Sequence, residues 1–106
     1  MVPRSRRLPA TLRAFESKFP NPWTRYRALR DACDRAGPLS PKTRELIKIG
    51  IEVARKRHGG LVAHIRRARR AGASREEIDH VILLAIPLIG IPDVLDAFRV
   101  AKRSLG

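Results

Sequence analysis

Cysteine, aromatic residues, acidic residues and long apolar runs are all scarce in this chain of 106 residues. The one cysteine, Cys33, excludes an intrachain disulfide, a four-cysteine zinc site and dithiol redox chemistry within one subunit, and it fits a reducing compartment such as the cytoplasm. The longest apolar run, VILLAIPLIGIP at 81–92, is interrupted by Pro87 and falls far short of the ~20 residues a membrane-spanning helix needs, so it is read as protein interior. The basic stretch Met1 to Arg13 has no apolar core of the kind a secretory signal carries, so secretion is not expected. A Gly-rich phosphate loop, a His-Glu-x-x-His pair and a nucleophile elbow are all missing. The isolated histidines His58, His64 and His80 do not make a metal site, and neither metal nor cofactor is expected.

What is present is apolar material at 43% and a large excess of base. Lys and Arg number 23 against 10 Asp and Glu, a formal charge of +13. That much apolar content supports a folded domain, and the length suits one domain or one subunit of an assembly. The charge admits nucleic acid, anionic surfaces or carboxylate-bearing small molecules as partners without choosing among them. Arg66, Arg67, Arg69 and Arg70 form the densest basic cluster, but aromatic residues at 5% and the lack of a recognised nucleic-acid fold weigh against nucleic acid as the main partner.

Proline and glycine divide the chain into about five or six helical segments, and no stretch alternates with the period of a strand. Residues 1–8 read as a basic arm preceding a single helical domain at 9–106. A first helix runs from about Pro9 to Lys18. A second starts with Asn21 as cap and Pro22 at its first position, and carries Trp23, Tyr26, Leu29 and Cys33 as a core-facing stripe. Ser40-Pro41 opens a third helix, to about Arg57, with an apolar face of Leu46, Ile47, Ile49, Gly50, Ile51, Val53 and Ala54. Glu45, Lys48 and Glu52 read as a solvated ion-pair row opposite. Gly59-Gly60 is a break before a fourth helix, Leu61 to Ala71, on which His64 shares the inward stripe of Leu61, Ala68 and Ala71.

Ser74 and Glu77 form a capping box for a fifth helix. From Ile78 to Ile91 that helix is apolar on nearly every side, which places it in the centre of the fold or at a subunit interface, with His80 buried in it. Pro92 starts a last helix with Val94, Leu95, Phe98 and Ala101 or Lys102 inward.

Three segments, LSPKTREL at 39–46, AHIRRARRAGASREEI at 63–78 and GIPDVLDAF at 90–98, resemble the carboxymuconolactone decarboxylase family, which also holds the alkyl hydroperoxidase D-like proteins. The resemblance covers roughly the C-terminal two-thirds of the chain. It implies an all-α bundle of that type and an obligate homo-oligomer, a trimer or a hexamer of paired trimers. In the peroxidase branch a glutamate, a Cys-x-x-Cys pair and a histidine four residues further on make a proton-relay and dithiol site. Glu45 and His64 match the glutamate and histidine, whereas Arg57 and Gly60 stand where the cysteines fall. Family-type peroxidase activity is therefore not expected.

The cysteine-free branch includes the true decarboxylase, which acts on a carboxylated muconolactone. Loss of CO2 builds negative charge that needs a stabilising group and a proton donor. His64 is the expected proton donor with Glu45 orienting it, and Arg57, His58 and Lys48 are the expected substrate-carboxylate ligands. Two alternatives stand beside this reading: a basic oligomer that binds nucleic acid or another polyanion, and a catalytically silent scaffold.

Overall fold

A computed structural model describes residues 4–105, with side chains from Ala10 onward. All regular structure among these residues is helical: α1 (Arg4–Lys18), α2 (Pro20–Arg35), α3 (Pro41–Arg55), α4 (His58–Arg70), α5 (Arg75–Leu84), the single turn α6 (Ile86–Ile89) and α7 (Ile91–Leu105). They divide into two compact units, residues 1–38 and 39–106.

The first unit is the α1–α2 pair. Residues 4–8, expected in a basic arm, belong to α1, and residues 1–3 of that arm lie outside the described residues. The second helix starts two residues earlier than expected, with Phe19 at the cap position and Pro20 in the first turn, because either proline suits a position whose N–H has no intrahelical partner. Rings pack along the turn between the helices: Phe15 to Phe19 at 5.2 Å, Phe15 to Trp23 at 6.0 Å and Trp23 to Tyr26 at 5.5 Å between centroids. The expected core stripe is nonetheless not interior here. Trp23 is half-buried, whereas Tyr26, Leu29 and Cys33 are exposed, because two helices alone offer no third layer to cover the outer edge of an amphipathic face.

The second unit holds the core. Ser40 caps α3 by accepting from the Thr43 N–H at 3.2 Å, and Pro41 follows in the first turn. The helix ends at Arg55, two residues early, because Lys56 adopts the left-handed conformation (φ 57°) and the next N–H, of Arg57, donates back to the Glu52 carbonyl at 3.0 Å. A side chain in that conformation costs about 1 kcal/mol. Lys56 Nζ also meets Asp93 Oδ2 at 3.3 Å, tying this turn to α7.

Gly59-Gly60 does not break the chain. Both glycines lie inside the first turn of α4, which begins at His58. The helix ends at Arg70 with Ala71 as its cap, and Gly72 (φ 98°) follows, where glycine alone takes that conformation without penalty. The capping box then starts α5: Ser74 Oγ accepts from the Glu77 N–H at 3.0 Å, and the Ser74 N–H donates to Glu77 Oε1 at 2.8 Å.

Side chains from four helices fill the interior: Ile49 and Val53 of α3, Leu61, Ile65 and Ala68 of α4, Ile78 and Ile82 of α5, and Val94, Ala97, Val100 and Ala101 of α7. Three further expectations fail in this unit. His80 is exposed, because Ile78 and Ile82 set the buried side of α5 and a residue two beyond Ile78 points about 200° away from it. Leu95 and Phe98 are exposed, because α7 turns its small residues Ala97 and Ala101 inward and lies close to its neighbours. The run 78–91 is not one helix: it is interrupted at Ala85, just before Pro87, and leaves Leu83, Leu84 and Leu88 uncovered within the chain.

Candidate active site

α3 and α4 are consecutive helices joined by the tight turn at Lys56-Arg57, and they pack against each other over their length. That packing removes the Glu45–Glu52 side of α3 from solvent. The solvated row expected there is a helix interface, and the side chain of Glu45 retains only 13% exposure. Across it, on α4, the ring of His64 retains 18%. His64 Nδ1 lies 3.0 Å from Glu45 Oε2. Two residues 19 apart in sequence thus form one hydrogen-bonded pair.

A carboxylate only accepts, so Nδ1 carries the proton in this contact and Nε2 is the nitrogen that exchanges protons with anything outside the pair. The pair has the make-up of a general acid–base dyad: an imidazole whose tautomer and ring orientation are set by a carboxylate. Helix packing holds it in place, since Leu61 and Ala68, one turn either side of His64, and its neighbour Ile65 are fully buried.

The remaining expected site residues are distributed less tightly. Lys48 is half-buried on α3, one turn after Glu45. His58 is half-buried and opens α4. Arg57 is exposed at the N-cap position, where its backbone carbonyl accepts from the Leu61 N–H at 2.8 Å. His64 lies seven positions after Arg57, roughly 10 Å along the axis, so Arg57 flanks the dyad without adjoining it. Among the described residues no group of three His, Cys, Asp or Glu side chains is arranged to hold a metal ion. None of the described helices is long and apolar enough to cross a membrane.

Sequence reasoning missed Glu52. It is the one buried charged residue among those described, and its Oε1 accepts from Arg55 Nη1 at 3.3 Å. Its spacing from Glu45 and Lys48 is that of an ordinary surface row, and nothing local distinguishes it. The signal lay on the partner helix, where a bare Gly60 leaves space for a carboxylate.

A comparison with curated proteins and one with solved structures each return no match. The family model described as the carboxymuconolactone decarboxylase family matches residues 20–103. With that match across most of its length, and with its single cysteine well away from positions 57 and 60, the chain belongs to the carboxymuconolactone decarboxylase family.

Proposed function

We propose that this protein is a decarboxylase-like lyase acting on a small carboxylated lactone or a related compound. The observation that carries the reading is the half-buried His64–Glu45 hydrogen bond at 3.0 Å. In the reaction the bond between the substrate carbon and its carboxylate breaks, CO2 departs, and the electron pair remains on carbon, delocalised into the adjoining carbonyl system. His64 delivers a proton from Nε2 to that carbon, and Glu45 stabilises the imidazolium before transfer and keeps the tautomer correct afterwards. Solvent restores the proton. Lys48, His58 and Arg57 supply positive charge or hydrogen-bond donors along the α3–α4 edge for the remaining carboxylate of the substrate.

The working unit of this reading is a homo-oligomer, a trimer or hexamer as the family resemblance implies. Ile47 and Ile51 on α3, Leu83 and Leu84 on α5, Leu88 on α6, and Ile91, Leu95 and Phe98 on α7 are all large apolar side chains exposed in the single chain. Covering them with further copies answers the same physical demand that makes the run at 78–91 so apolar.

The test is CO2 release from a panel of carboxylated lactones by the purified protein, compared with Glu45→Gln and His64→Gln. Substrate-dependent release that both substitutions abolish supports the reading. Salt-sensitive binding to nucleic acid through the exposed Arg66 and Arg70, with no CO2 release, supports the polyanion alternative instead.

A further inference from the structure

Glu45 and Glu52 stand seven residues apart on α3, two turns on one side of the helix. Gly60 and His64 stand one turn apart on α4. The helix interface therefore has two polar layers: Glu45 meets His64 in one, and Glu52 meets Gly60 in the other. In the second layer, a Cβ placed on Gly60 would overlap Glu52 Oε2 and lie 2.6 Å from Cδ and 3.3 Å from Cγ. Gly60 is an ordinary helical residue without a positive φ, so its backbone does not call for glycine. The carboxylate does.

The first turn of α4 has little of its own to hold it. Arg57 makes no side-chain cap, no acidic residue lies in the first turn, and the second and third positions are glycines, which are poor helix formers. A carboxylate set against that turn from α3 supplies negative charge where the helix dipole is positive. Arg55 holds its other oxygen at 3.3 Å. His64 follows one turn later.

We infer that Glu52 is a positioning residue of the site: its carboxylate, admitted by the bare Gly60 and tied by Arg55, fixes the first turn of α4 and so sets His64 against Glu45. The inference rests on reading Glu45 and His64 as the working pair, and its test reads the geometry of that pair without turnover.

Alanine in place of a helical glycine ordinarily stabilises. Here Gly60→Ala is expected to lower Tm in the wild-type background, because it evicts the carboxylate, and to raise Tm in the Glu52→Ala background, each by on the order of 5 °C. Nitrogen-15 spectra of labelled histidine report which ring nitrogen of His64 is protonated. Glu52→Ala and Gly60→Ala are each expected to erode the Nδ1–H signature seen in the wild type, and Glu52→Gln, which fills the same space, to retain most of it. If Glu52→Ala does not fold, Gly60→Ala and Glu52→Gln carry the comparison. A rise in Tm from Gly60→Ala in the wild-type background overturns the inference, and so does an unchanged His64 signature in folded Glu52→Ala or Gly60→Ala protein. Loss of the signature in Glu52→Ala or Gly60→Ala, beside a wild type that shows it but releases no CO2 from any lactone, would support the positioning role and sink the decarboxylase reading alone.

Discussion

Glu45 Oε2 and His64 Nδ1 lie 3.0 Å apart on neighbouring helices, with both side chains more than four-fifths covered. Their contact exists only because α3 and α4 pack along the side of α3 that carries its glutamates. On the proposed decarboxylase reading, replacing either partner removes a proton-transfer role while leaving the apolar core intact. His64→Gln is expected to reduce kcat for decarboxylation by about 100- to 10,000-fold and Glu45→Gln by less, with little change in Tm, as measured by steady-state CO2 release and thermal melting.

The core makes a separate prediction. Ile65, at the middle of α4, and Leu61, one turn before it, are fully buried. Ile65→Ala is expected to cost about 2–5 kcal/mol by removing packed methyl groups and leaving a cavity, read from urea unfolding. The exposed Leu88→Ala is expected to leave the stability of the isolated chain nearly unchanged.

The capping box responds to acid. The Ser74 backbone N–H, and then Lys42 at 3.1 Å, hold the Glu77 carboxyl below its ordinary range. A carboxyl with a folded-state value below its unfolded one stabilises the fold at pH above the unfolded value, and that contribution is lost as pH falls through the lower, folded value. The stability difference between wild type and Glu77→Gln is therefore expected to be constant near neutrality, to shrink below the ordinary glutamate range and to vanish in stronger acid. Urea titrations across that range measure it.

In the proposed oligomer, further copies of the chain cover the apolar side chains exposed on α3, α5, α6 and α7. Leu88→Asp combined with Leu95→Asp is expected to convert a trimer or hexamer to monomer in sedimentation velocity, because each aspartate would be buried without a partner. A wild type that sediments as a monomer at micromolar concentration would contradict the oligomeric reading.

What the sequence made legible is what local chemistry decides. Ser40-Pro41 and the Ser74/Glu77 box start helices through hydrogen bonds within one turn, so both starts are readable from residue type and spacing. Helix ends depend on subtler backbone terms. Lys56 takes a left-handed conformation usually given to glycine, while Gly59 and Gly60, the obvious breakers, are helical.

The pairing of Glu45 with His64 came from family resemblance, since periodicity alone put Glu45 on a solvated face. Glu52 escaped because its environment is made by a residue on another helix. Leu95, Phe98, Tyr26 and Leu29 read as core from sequence but are exposed, because apolar periodicity reveals that a face is to be covered without revealing whether the cover belongs to the same chain.

The most direct measurement is CO2 release from a carboxymuconolactone by the purified wild-type protein, run beside His64→Gln at the same oligomer concentration. Release by the wild type that falls at least 100-fold in the variant is the result the dyad predicts. Equal release by both proteins, or none above buffer from the wild type, would contradict it.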